Sequence, residues 1–320
     1  MTIRATATTE LGASVGTIPT ASEQSDCRVP GYEQAGPTVL RMLVGTQLRR
    51  LREARGITRE EAGEAIRASE SKISRLELGR VGFKPRDVAD LLALYGVGDD
   101  GERTTVLAVA EQANAPGWWN AYNDVVPTWF EPYLGLEQAA SVIRAYEVQF
   151  VAGLLQTEDY ARAVIQLGHP TAAPAEVERR VSLRTQRQRI LHRPDPPKLW
   201  AFIDEAALRR PIGGAATMSG QLQHLIDIAQ LPHVSVQVVP FSAGGHPAVG
   251  GPITILRFPQ GRLPDVVYVE QREAASYLDK PADTLHYWDI MNRLAVQIEQ
   301  PAATTTLVHQ LLHELRRDTS

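Results

Sequence analysis

Three groups of side chains in this sequence have types and spacings that could do chemistry. The first is cationic: Arg59, Arg67, Lys72, Arg75 and Arg80 are interleaved with Ser69, Glu70 and Ser71. Guanidinium forks read guanine edges and clamp phosphates, so this group points to nucleic acid. The second is acid–base. Asp204 and Glu205 fall at the end of a predicted strand in FIDEAALRR, His246 sits in the glycine-rich SAGGHPAVGG loop at 242–251, and Glu270 ends another strand. Catalysis would need these groups to converge with shifted pKa values. The loop matches neither G-x-G-x-x-G nor a P-loop, and Asp204 and Glu205 suit capping or pairing with a short helix at 206–210. The third is metal-like: His309 and His313 are four apart on a predicted helix, but no cysteine or well-spaced carboxylate completes a ligand set. No catalytic residue, metal or cofactor is therefore expected.

The elements that position these groups follow from how charge is distributed. The chain has 320 residues and a net charge of −4, which argues against a nucleic-acid partner only if read as a total. Residues 41–86 carry twelve basic and six acidic side chains, a net of +6, whereas residues 100–320 carry a net of −5. A basic module beside an acidic body is a DNA-binding layout. Cys27 is the only cysteine, which excludes a disulfide framework. No apolar run is long enough to span a bilayer and no basic-then-apolar signal opens the chain, so a cytoplasmic location and no membrane partner are expected.

Within the module the punctuation predicts a string of short helices. Val44, Leu48 and Leu51 share one helical face. Thr58 and Glu61 form a T-x-x-E capping box for a two-turn helix that turns Ala62 and Ile66 inward. Ser69 caps a third helix with Ile73 and Leu76 on its apolar side, ending at Gly79. Pro85 opens a fourth, with Val88, Leu91, Leu92 and Tyr95 at helical spacing. Two short helices joined by a tight turn inside such a unit form a helix-turn-helix.

The stretch LRRLREARGITREEAGEAIRASESKISRLELGR, and SKISRLELG at 71–79 above all, resembles the Cro/cI-type (xenobiotic-response-element class) helix-turn-helix family. The resemblance implies that residues 69–78 enter the major groove of double-stranded DNA. Glu70, Ser71 and Arg75 would meet base edges, and Arg59, Arg67, Ser69, Lys72 and Arg80 would meet phosphates. Three positions depart from the family pattern: Arg67 stands where the turn usually has glycine, Gly63 where alanine is favoured, and Arg59 where glutamine is frequent. A non-glycine residue at positive φ costs on the order of 1 kcal/mol, so a strained or differently shaped turn is expected.

Residues 101–114 read as one more helix, followed by Trp118, Trp119, Tyr122, Trp129, Phe130 and Tyr133 in a chain only 6% aromatic. Such a run is either a ligand cage or a hydrophobic clasp fixing the module to the body; burial is the commoner use of large aromatics. Helices are expected at 139–150, 158–167, 174–191, 215–230, 281–298 and 303–316. Strands are expected at 198–204, 234–239, 253–258 and 265–270. Arg180, Arg184 and Arg187 form a stripe that could extend a phosphate surface, bind an acidic partner, or pair with acidic neighbours.

This half resembles the uncharacterised α+β effector domain of actinobacterial regulators of the WhiJ type, through VPTWFEPYLGLE at 126–137, GLLQTEDYARAVI at 153–165 and FIDEAALRRPIGG at 202–214. That resemblance implies a transcriptional regulator, often accompanied by a small acidic partner protein. The expected layout is a disordered tail at 1–36, a four- or five-helix helix-turn-helix domain at 37–98, a connector helix and aromatic clasp at 99–136, and an α+β effector domain with a small mixed sheet at 137–320. Trp118, Trp119, Trp129, Asp204, Glu205 and His246 are the candidates for an effector or partner pocket. The expected function is a sequence-specific, homodimeric DNA-binding regulator whose C-terminal domain senses a ligand or a protein. The alternative is an antitoxin-like protein that sequesters a small partner and autoregulates its operon.

Overall fold

The capping signals along residues 37–98 produce the helices they predict. The computed structural model describes residues 36–259, 263–298 and 301–318, so the tail expected at 1–36 lies, apart from Gly36, outside the described residues. Helix α1 (Pro37–Ala54) starts on its proline. Helices α2 (Arg59–Ala65) and α3 (Glu70–Glu77) form the helix-turn-helix pair, and α4 (Pro85–Leu94) and α5 (Asp100–Gln112) complete the bundle. Val44, Leu48, Ala62, Ile73, Leu76, Leu92 and Val106 meet at its centre, each buried.

A 3-10 turn (Trp118–Tyr122) leads to α6 (Glu131–Ala139) and then to strand β1 (Val142–Glu147). Helices α7 (Glu158–Gly168) and α8 (Pro174–Gln188) precede β2 (Lys198–Asp204) and the short α9 (Glu205–Arg209). Next come α10 (Ala215–Ile228), β3 (Val234–Val239), β4 (Ile253–Arg257), β5 (Val266–Glu270) and β6 (Ala275–Leu278). Helices α11 (Pro281–Gln297) and α12 (Pro301–Asp318) follow. The sheet has six strands in the order β3-β2-β1-β4-β5-β6. Its β3-β2-β1 half is parallel, and β4, β5 and β6 are antiparallel to their neighbours. Helices with a mixed sheet are the expected class.

Three elements differ from expectation, the first being α6, which falls in the stretch expected as an aromatic clasp. The helix expected at 139–150 is the central strand β1, paired with β2 on one side and β4 on the other. A strand covered on both faces loses its alternation. Val142, Ile143, Ala145 and Tyr146 are apolar pairs three apart, and that spacing imitates a helix. Strand β6, not anticipated, is the outer partner of β5, with Tyr268 opposite Tyr277.

The module and the C-terminal body share one continuous apolar core. Val39 and Leu43 of α1 belong to the same buried cluster as Tyr133 and Leu136 of α6 and Ile143 of β1. The opposite face of the sheet carries a second core, in which Tyr146, Phe202 and Val267 meet Met291 and Leu294 of α11.

Candidate nucleic-acid interface

The α2–α3 turn is held by paired local bonds. Thr58 Oγ1 accepts from the Glu61 N–H at 3.2 Å while the Glu61 carboxylate accepts from the Thr58 N–H at 2.7 Å, closing the capping box. Arg67 has φ 54°, the one non-glycine residue at positive φ among those described. The Ala68 N–H bonds back to the Gly63 carbonyl at 2.8 Å. A Cβ on Gly63 would stand 2.6 Å from the Ala68 carbonyl oxygen. The glycine missing from the turn is therefore matched by a glycine inside α2, which admits the tight return of the chain. Ser69 Oγ then accepts from the Lys72 N–H at 3.3 Å and starts α3.

Helix α3 has two distinct faces. Ile73, Leu76 and Glu77 are buried, while Glu70, Ser71 and Arg75 are exposed. The Arg75 Nε donates to the Ser71 carbonyl at 3.3 Å, which lays the guanidinium along the helix. The three side chains expected to read bases thus share solvent access on a rigid, capped helix.

The expected phosphate-contacting cations are less uniform. Arg59 donates to Glu77 at 3.2 Å and Lys72 pairs with Asp87 at 2.6 Å, so both are engaged in the protein alone. Arg67 is exposed, and Arg80 Nη2 donates to the Tyr277 carbonyl of β6 at 3.3 Å. Glu77 is also the partner of Arg52 of α1, whose second prong spans 3.1 Å. This hydrogen-bonded carboxylate raises the Arg52 pKa above its ordinary value. Two further cations outside the expected set lie beside this surface. The Lys72–Asp87 pair brings the start of α4 to the flank of α3, where Lys84 and Arg86 are exposed. The K-P-R triplet at a helix start was the signal that could have found them.

A family model described as Helix-turn-helix domain matches residues 43–105, which covers this geometry. A second model, described as Domain of unknown function (DUF5753), matches residues 130–310, more than half of the chain. The chain belongs to the DUF5753 family. No curated protein matches it, and no solved structure does. The helix-turn-helix domain points to DNA as a partner and to a regulatory role. Among the described residues no helix is long and apolar enough to cross a membrane, and no group of three metal-ligating side chains forms.

Within the DUF5753 region the expected pocket residues separate into three places. Trp118 and Trp119 pack with Val126, Leu134 and Leu183, and the Tyr122 hydroxyl donates to Gln186, so this cluster fastens the connector to α6 and α8. Its Trp119 meets the module across Gly135, which lies against Thr38 of α1. Tyr133 of the same run lies in one buried cluster with Val39 and Leu43 of α1, and Phe130 packs against that cluster. Trp129 lies elsewhere, its carbonyl accepting from the Tyr277 hydroxyl at 2.7 Å. Asp204 caps α9 through the Ala206 N–H, and Glu205 pairs with Arg209 and accepts from the Phe241 N–H. His246 contacts the Tyr146 hydroxyl at 3.2 Å. These six residues line no common site.

The arginine stripe on α8 is internal wiring, not a phosphate surface. Arg187 makes a two-pronged pair with Glu137 and stacks over Phe130 and Tyr133. Arg184 donates to Gln156, Arg180 to Glu176 and the Val125 carbonyl, and Arg179 to Asp124. Burial pulls the Arg184 guanidinium down to about 10. Nearby, burial followed by the charge of Glu270 pushes the Glu147 carboxyl up to about 8.

Proposed function

We propose that the chain is a sequence-specific, DNA-binding transcriptional regulator of the Cro/cI type that acts as a homodimer in the cytoplasm, with its DUF5753 domain setting activity in response to an effector. The observation that carries this reading is the exposure of Ser71 and Arg75 on a helix whose start, turn and inner face are all fixed. A base-reading side chain must be held rigidly to discriminate, because a loose one can follow a wrong base at little cost. Arg75 suits guanine, whose O6 and N7 accept the two prongs of a guanidinium. Lys72, Arg80, Arg59, Arg67 and Ser69 surround it as phosphate contacts, together with Lys84 and Arg86.

The test is selection of bound DNA from a random pool by the full chain. The expected product is a two-fold motif with half-sites about one helical turn apart. Failure to enrich any motif overturns the reading, and a motif without two-fold symmetry overturns the homodimer.

A further inference from the structure

Strand β6 meets the helix-turn-helix module along its outer edge, and two cavities lie on that line. One, of about 450 Å3, is mainly apolar, with Met42 and Leu78 from the module facing Trp129, Leu136 and Val266. Small-molecule sites run from roughly 300 to 1,000 Å3 and are mostly apolar with a few placed polar groups. The other, of about 540 Å3, is charged, with Arg49, Arg59, Arg80 and Lys280 lining it against Asp279 and Asp283. Both are lined by Leu78, Arg80, Tyr277, Leu278 and Asp279, so they are neighbouring chambers around one arginine.

Arg49 and Arg59 have their own carboxylates in Glu53 and Glu77. Lys280 lines only the charged chamber, so the acid group of a molecule whose body fills the apolar one falls to Arg80, the one cation that lines both. Its bond to the Tyr277 carbonyl uses one of five guanidinium N–H donors. Arg80 also follows Gly79, which ends α3 at φ 64° and lies so close to α1 that a Cβ would come within 2.6 Å of the Met42 nitrogen. The chamber wall and the end of the recognition helix are thus one rigid piece.

We propose that the two chambers form one effector site for an amphiphilic organic anion, its apolar ring body between Met42 and Trp129 and its acid group on Arg80. Occupancy sets the ligand in competition with DNA phosphate for Arg80 and lowers DNA affinity. The binding step stands on the cavity alone; its effect on DNA rests on the regulator reading.

The probe is 8-anilinonaphthalene-1-sulfonate, an aromatic ring system with one acid group, titrated into the full chain. One saturable site is expected. Ala275 lines only the apolar chamber. Ala275→Trp should fill it and weaken probe binding about tenfold, with Ala275→Leu as a milder second variant. Probe at about four times its Kd for the parent should weaken binding of the selected DNA by about fivefold in the unsubstituted chain and by less than about twofold in Ala275→Trp. The site is overturned if the probe does not bind, or binds both variants as it binds the parent. Its regulatory role is overturned if bound probe leaves DNA affinity unchanged. If the probe-free chain binds no DNA, the regulator reading fails while the titration still decides the site.

Discussion

Arg52 of α1 grips the carboxylate of Glu77 at the far end of the recognition helix, with both side chains buried. Arg59 of α2 reaches the same carboxylate, so one anion ties three helices. Removing one partner of a buried pair strands the other charge, which costs about 3–5 kcal/mol. Glu77→Gln keeps the shape and removes the charge. It should lower the urea-unfolding free energy of the chain by an amount near the bottom of that range, since the amide still accepts hydrogen bonds. An unchanged midpoint would show that the pair does not brace the module.

The α2–α3 turn makes opposite predictions for its two unusual residues. Arg67→Gly should relieve positive-φ strain and stabilise the chain by about 1 kcal/mol. Gly63→Ala should destabilise it, because the new methyl collides with the Ala68 carbonyl and backbone cannot move aside cheaply. Thermal denaturation of the two variants checks both signs. A stabilising alanine at 63 would mean that the turn can relax.

Arg75→Ala should cost about 1–3 kcal/mol on the preferred DNA and relax base preference at one position. Comparing its selected motif with that of the parent is the measurement. Full retention of discrimination would remove Arg75 from the base-reading set.

Lys72 tests the phosphate assignment against its pairing with Asp87. If Lys72 swings from Asp87 to a phosphate on binding, Lys72→Ala should weaken all sequences alike and reduce the salt slope by about one. Asp87→Asn should have the opposite effect on affinity, since the lysine no longer leaves a carboxylate behind. A sequence-selective loss in Lys72→Ala would refute the phosphate role.

The module was legible in the sequence because its signals are local: Thr58 with Glu61, Ser69 and Pro85 each mark a helix start using neighbours in the chain. The C-terminal body was less so, because its decisive partners are distant. Nothing near Glu137 announces that Arg187 will bury itself against it, and nothing near Arg80 announces Tyr277. Strand β1 was misread for the same reason. Its conformation is imposed by β2 and β4, whose pairing no local pattern can show. The junction cavity, built from Met42, Trp129 and Tyr277, is a product of three such long-range meetings.

Glu147 gives the body a pH-dependent cost. It ends β1 facing Glu270, with Arg184 and Arg187 of α8 near enough to act on it, and burial leads in pushing its carboxyl from an ordinary 4.5 up to about 8. A carboxyl whose folded pKa is raised favours folding while protonated. Its contribution is therefore full below about pH 4.5 and is lost as the pH rises toward 8. His169 and His224 are shifted down by burial and oppose this trend at acid pH, but they are unchanged in a comparison of variants. Glu147→Gln should thus match the parent near pH 5 and become progressively more stable than it toward pH 8. Unfolding midpoints measured across that range decide the matter. A constant difference between the two proteins would mean that the Glu147 carboxyl is already ionised throughout, with Arg184 bearing its charge.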